Sequence, residues 1–326
     1  MQSGQLRALA GLAAVVVSLV AALPAEAQPF PSRPIRLIVA FAPGGSVDLV
    51  SRLVAQKAGE TLGQPIVIDN RPGAGGRLSA EIAANATPDG YTLHITSASL
   101  VVNAAIHRDL PYDPVRSFAP VTLLASTQNA LAATLALPVK SVPELIALAG
   151  KAPGKINYGS TGVGTSGHLT MVMFLHQARL QMNHVPYKVI GQTYTDLFAG
   201  RVSLFFPTLP GALPHYRAGK MRLLAVSGAK RSTALPDLPT VAEAALPGFE
   251  ASTWYPILAP AGAPKAAVNL LNQQFVAALA SPEIRKRLDA MGVEPIGSTP
   301  AQLTAHIKAE LPKWAEVVRL SGTRAQ

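Results

Sequence analysis

Two turns in this chain can hold an anion with little more than backbone. The first follows an apolar strand, Ile35 to Phe41, and runs Ala42-Pro43-Gly44-Gly45-Ser46 into a helix carrying Asp48 in its first turn. Glycine lets the main chain approach a ligand closely, and the first N–H groups of a helix have no partner within it. The second is Ser160-Thr161-Gly162-Val163-Gly164-Thr165-Ser166-Gly167, set between a strand at Lys155–Tyr158 and a helix over about 165–179. Its hydroxyls and helix-terminal N–H groups suit both oxygens of a small carboxylate.

The literal GxGxxG at Gly162–Gly167 also raises a dinucleotide site, which needs an acidic residue about 20 positions on. That region reads Met182-Asn183-His184-Val185, and the first acidic residue is Asp196. No GxSxG, no GxxxxGK[ST] and no HExxH occurs, so the sequence offers no nucleophile elbow, P-loop or zinc helix. His168 and His176 lie two helical turns apart without a carboxylate partner and read as packing or surface residues. Asp48 can serve the helix dipole or meet a ligand ammonium group or water. Tyr187 can line a cleft or fill the core, and Trp254 reads as core. Ser97 closes the third strand and faces the same strand-end region. No catalytic set, metal site or cofactor is expected.

The elements that must position these turns follow from apolar spacing. Val47, Val50, Val54 and Ala58 form one helical stripe that ends near Gly63. A strand at Ile66–Ile68 leads to a further glycine turn, Asn70–Gly76, then a helix from Leu78 to Ala84 and a strand from Tyr91 to Thr96. Strand and helix alternate again in mid-chain, with Ser141-Val142-Pro143-Glu144 reading as a capping box, strands at Val185–Tyr187, Val202–Phe206 and Leu223–Ser227, and a helix at Thr193–Ala199. Later come an apolar strand at Thr253–Leu258, helices at Ala266–Ala280 and Glu283–Met291, a strand at Val293–Ile296, and a helix from about 301 to 320 containing Pro312. The expected class is α/β, with ligand-facing loops at the carboxyl ends of parallel strands.

Composition narrows the function. The chain has 326 residues, 49% hydrophobic and 14% charged, and no cysteine, which excludes disulfides, thiolate metal sites, a cysteine nucleophile and a lipidated cysteine. Residues 1–27 read as a signal peptide: Arg7, an uncharged run from Ala8 to Leu23, and Ala25-Glu26-Ala27 as the cleavage site. The net charge of +10 survives that cleavage, because one Arg and one Glu are removed. The densest basic cluster is Arg285-Lys286-Arg287, without interleaved aromatics. A diffuse field for small anions is favoured over nucleic acid.

Serial motifs carry a resemblance over nearly the whole chain from Phe30 to about Gly322. FAPGGSVD, IDNRPGAGG, PDGYTL, LPYDPVRSFAPVTLLA, PGKINYGSTGVGTSGHL, HVPYK, RSTALPDLPTVAEAALPGFEAS and WYPILAPAGAP resemble the signatures of the Bug, or TctC-like, substrate-binding proteins of tripartite tricarboxylate transporters. The resemblance implies a two-lobed periplasmic binding protein of type II architecture with two interlobe crossings, here 28–125 for the first part of lobe 1, 126–252 for lobe 2 and 253–326 for the return. It implies a soluble periplasmic receptor, not an enzyme, acting as a monomer that closes on an organic carboxylate and meets a membrane permease of large and small subunits. Presentation of the closed form to a signalling sensor is the alternative, and an exported α/β enzyme a more distant one. Carried over by position, the ligand set is Ala42, Gly44, Gly45, Ser46 and Asp48 with Ser160, Thr161, Gly162 and Thr165, to which Ser97, Tyr187 and Pro207 are added. The family usually continues VPYKG with a small residue and a proline, where this chain has Val189, Ile190 and Gln192. It often has aspartate where this chain has Pro207. Loss of that carboxylate argues against an amino-acid ligand, and Val189 and Phe206 point to a more apolar or aromatic carboxylate.

Overall fold

A computed structural model describes residues 29–321. The signal-peptide reading falls on residues outside that range. Among the described residues, no helix is long and apolar enough to cross a membrane.

The chain builds two sheets. The first contains β1 (Ile35–Val39), β2 (Ile66–Asn70), β3 (Thr92–Ile95), β4 (Phe118–Gln128), β10 (Ser252–Pro260) and β11 (Val293–Pro295), in the order β11-β4-β10-β3-β1-β2. β1 pairs in parallel with β2 and β3, while β10 runs antiparallel to β3 and β4. The second contains β5 (Ala130–Ala133), β6 (Asn157–Ser160), β7 (Asn183–Pro186), β8 (Leu204–Phe205) and β9 (Arg222–Val226), in the order β7-β6-β8-β5-β9. β6 is parallel to both β7 and β8. The chain therefore crosses between sheets twice, at Asn129 and between Ser227 and Ala251. The crossings lie side by side: the Ser227 N–H donates to the Asn129 carbonyl at 2.8 Å, the Asn129 N–H to Ser227 Oγ at 2.9 Å, and the Ala251 N–H to the Ser227 carbonyl at 2.8 Å.

The helix Ser46–Leu62 buries Val47, Val50, Val54 and Ala58, the stripe read from its spacing. It stops where Gly63 takes φ +68°, a left-handed conformation that glycine adopts without a Cβ clash. Ser141 caps the helix Val142–Lys151 by accepting the Glu144 N–H. The Glu144 carboxylate accepts from the Lys140 N–H, not from Ser141 itself, so the expected box is displaced by one residue. Four stretches carry structure that the spacing did not disclose: the helix Ser99–Ile106, β4 with β5, which continue almost unbroken from Phe118 to Ala133, the helix Leu209–Arg217 and the short helix Val241–Ala244.

The first lobe's core gathers Val101, Val102, Phe118, Trp254, Leu303, Ile307 and Trp314, and also takes in Leu169 from the helix Ser166–Ala178 that follows the second sheet's β6. The last helix, Pro300–Ser321, runs through Pro312 and forms much of this cluster. Within it the indole N–H groups of Trp254 and Trp314 both donate to Glu310, at 3.0 and 2.7 Å. Trp254 is core, and the Arg285-Lys286-Arg287 cluster is an exposed face of the helix Pro282–Ala290.

Candidate ligand-binding cleft

The first turn is shaped from below by a carboxylate. Gly44 sits at φ +79°, and Gly45 ends the turn as the N-cap of the helix Ser46–Leu62, with no side chain capping it. Asp48 lies 2% exposed and accepts from the Gly44 N–H at 2.9 Å, from Asn70 Nδ2 at 2.9 Å and from Arg52 Nε at 3.1 Å. Asn70 Nδ2 also donates to the Phe41 carbonyl at 2.9 Å, tying the turn to the neighbouring strand. Burial opposes the Asp48 charge, but Arg52, the Gly44 N–H and Asn70 outweigh it and hold the carboxyl below its usual range.

The second loop rests on neutral imidazoles. Ser160 Oγ accepts from the Gly162 N–H at 3.1 Å and lies 2.7 Å from His184 Nε2. His168 Nδ1 accepts from the Gly164 N–H at 3.3 Å. The His168 and His184 rings pack at 4.3 Å, and Tyr158 stacks on His184 at 4.9 Å. Burial, then the neighbouring His184, pulls His168 down to about 3, and burial pulls His184 down to about 4. Thr165 Oγ1 donates to the Gly162 carbonyl at 2.8 Å and closes the loop on itself.

Between the two lies a cavity of about 850 Å³. Its wall carries Arg77 and Lys188 and no Asp or Glu. Five helices, beginning at Ser46, Arg77, Ser166, Ile190 and Leu209, bring their N-terminal ends to it, and none has a side-chain cap. Positive dipole ends and unspent N–H groups thus converge on one space. The lobes already touch across it, since Thr208 Oγ1 donates to Ser46 Oγ at 2.8 Å. The Thr253 hydroxyl, 1% exposed on the same wall, has no hydrogen-bond partner. Tyr255 is fully buried beside the Ser46–Thr208 pair; burial pushes its phenol up, and those two hydroxyls moderate the effect.

Residues 50–322 match the profile of the tripartite tricarboxylate transporter family receptors, TctC. The chain belongs to that family. The protein BugT of Bordetella pertussis is 34% identical over 320 residues, covering 98% of each chain. Among solved structures, the R. palustris protein Rpa4515 with adipate superposes with a TM-score of 0.87 at 37% identity, covering 90% of this chain and 99% of that one. MatC of Rhodopseudomonas palustris with bound malate gives 0.83 at 32% identity, covering 89% and 100%. The two-lobed periplasmic binding fold expected from the sequence is the fold observed, and the family is one of solute-binding receptors.

For this TctC-family chain, nine of the twelve residues picked out from the sequence lie on the wall of the cavity: Ala42, Gly45, Ser46, Ser97, Thr161, Gly162, Thr165, Tyr187 and Pro207. Gly44, Asp48 and Ser160 do not. Gly44 turns its N–H onto Asp48, Asp48 is occupied by three donors, and Ser160 is spent on Gly162 and His184. All three shape the turns from behind. Val189 is 48% exposed, and neither it nor Gln192 lines the wall, whereas Ile190 and Phe206 do. The Tyr187 hydroxyl donates to Asp196 at 2.7 Å, and its phenol is pushed up to about 12 by burial and by that carboxylate. The sequence reading missed Arg77, Lys188, Thr208, Thr253 and Tyr255. Only Arg77 left a signal: a cation at the first position of a helix opposes the dipole.

Proposed function

We propose that this chain is an exported periplasmic receptor that captures a small organic carboxylate between its lobes and delivers it to a tripartite membrane permease. The observation that carries the reading is electrostatic. A deep cleft lined by five uncapped helix N-termini, two cationic side chains and no carboxylate favours an anion over any other solute. The adipate and malate bound by the two related proteins are small carboxylates of fitting size and charge. In this reading lobe 1 comprises residues 28–125 and 253–326 and lobe 2 residues 126–252. Ala42, Gly45 and Ser46 meet the anion from one side and Thr161, Gly162 and Thr165 from the other. Binding closes the lobes through contacts made with both, beside the Ser46–Thr208 hydrogen bond that already links them.

Thermal unfolding of the chain from Gln28 onward, refolded once to strip bound solute, tests this against aliphatic and aromatic mono-, di- and tricarboxylates and amino acids. A ligand at 100 times its dissociation constant adds about 2.7 kcal/mol of stability. Stabilisation by a carboxylate class, lost on Gly162→Val, is the expected result. Absence of any shift across the panel overturns the reading.

A further inference from the structure

The cleft holds a guanidinium that the fold leaves unmatched. Other arginines on this side of the first lobe are spent within the protein: Arg36 and Arg71 on Asp69, and Arg52 on Asp48. Arg77 is half-buried and lines the cavity, and its guanidinium makes no hydrogen bond or ion pair within the described residues. Its position is unfavourable on local grounds, because it opens the helix Arg77–Ala84 directly after Gly76, where the helix dipole repels a cation. Partial burial without a counter-ion adds a desolvation cost. A residue that is locally costly and unpaired in a cleft points to a partner that comes from outside.

The surroundings place Arg77 at the seam between lobes. Two residues before it, a side chain added at Gly75 would stand 3.2 Å from the Val163 carbonyl of the second lobe's glycine loop. On the neighbouring helix Ser99–Ile106, the Ile106 Cδ1 atom lies 2.8 Å from where a Cβ at Gly164 would stand. His107, the next residue, shares the cavity wall with Arg77. Burial, followed by the Arg77 charge, lowers its basicity, so at neutral pH it offers a neutral imidazole beside a fixed cation.

We propose that Arg77, with His107 beside it, forms a second anion subsite at the lobe seam, making Arg77 the residue that selects solutes with two anionic groups over those with one. This rests on the carboxylate-receptor reading above. One carboxylate sits among the helix N-termini at the two glycine turns, and the second pairs with the Arg77 guanidinium as the lobes close. An apolar spacer suits the rest of the cavity wall, which includes Val163, Ile190 and Phe206.

Calorimetric titration of the mature chain with α,ω-dicarboxylates from succinate to adipate, each beside the monocarboxylate of equal chain length, tests the subsite. Wild type is expected to bind at least one diacid about tenfold or more tighter than its monoacid. Arg77→Gln should remove that preference by weakening the diacid more than the monoacid, and Arg77→Lys should restore part of it, since an ammonium keeps the charge but not the fork. An unfolding midpoint no lower than that of wild type shows that Arg77→Gln is folded. Equal affinities of wild type for diacid and monoacid, or a diacid preference that survives Arg77→Gln, overturn the subsite and leave the receptor reading standing. No binding of either series to wild type overturns the subsite, and the receptor reading is then decided by the broader carboxylate panel above.

Discussion

The two turns that face each other across the cleft are both glycine-rich and hydroxyl-bearing, yet they are held by opposite electrostatics. The Pro43–Gly45 turn stands on a buried anion, Asp48, whose charge is consumed by Arg52, Asn70 and the Gly44 N–H. The Ser160–Gly167 loop stands on uncharged rings, His184 under Ser160 and His168 under Gly164. A carboxylate so close to an anion site is tolerable only when fully matched, and an imidazole can accept the Gly164 N–H only while unprotonated. One wall is therefore robust to acid and sensitive to loss of charge, and the other is the reverse.

Removing the charge should have the largest effect. Asp48→Ala leaves the Gly44 N–H without its acceptor and Arg52 without its counter-ion, while Asn70 keeps the Phe41 carbonyl and Arg52 as partners. It is expected to cost about 2–3 kcal/mol in urea unfolding and to weaken carboxylate binding at least about tenfold. An Asp48→Ala protein as stable as wild type would show that the turn keeps its shape without the carboxylate. His168→Phe keeps a ring against His184 but removes the acceptor for Gly164. A loss of about 1 kcal/mol is expected, with a binding defect smaller than that of Asp48→Ala; the opposite ranking would reverse the comparison.

Acid should separate the walls in a defined order. His168 and His184 are held near 3 and 4, below the ordinary 6.5, so between about pH 6.5 and 4 the unfolded chain binds more protons than the folded one. Stability supplied by the neutral pair is complete above pH 6.5 and declines as pH falls, to about 4 for His184 and about 3 for His168. Asp48, held below 3.8, keeps its contribution until pH drops below that value. Amide hydrogen exchange, corrected for its intrinsic pH dependence, should show Gly164 losing protection at higher pH than Gly44. Simultaneous loss would mean that the imidazoles do not set the loop. Ser160→Ala, which removes one hydroxyl link while leaving Gly164 on His168, should be the mildest change, about 0.5–1 kcal/mol.

Much of this was legible along the chain, for physical reasons that also explain the gaps. Both anion turns announce themselves because Gly44, Gly162 and Gly164 take positive φ, where few other residues fit. The stripe Val47–Ala58 was readable because its helix has one wet face. The helix Ser99–Ile106 was not: Leu100, Val101, Val102 and Asn103 are all buried, so polarity carries no period. β4 and β5 are hidden for the same reason. In the site, Thr208, Thr253 and Tyr255 come from distant strands and turns and share a wall with Ser46 only through the tertiary fold. Likewise, that His168 and His184 act as one support depends on β7 lying beside β6 in the second sheet.

The side-by-side crossings at Asn129 and Ser227 give the second sheet the topology of an insert. Its entering and leaving strands are already hydrogen-bonded to each other where they meet the first lobe. An insertion of this kind can be exchanged between relatives as a cassette, cut at neighbouring points with no new loop to close. The graft must carry Leu169, which packs into the host lobe's core, and it would bring the Ser160–Gly167 half of the cleft while the host kept Arg77. Chimeras of this kind would thus recombine the two halves of the cleft separately.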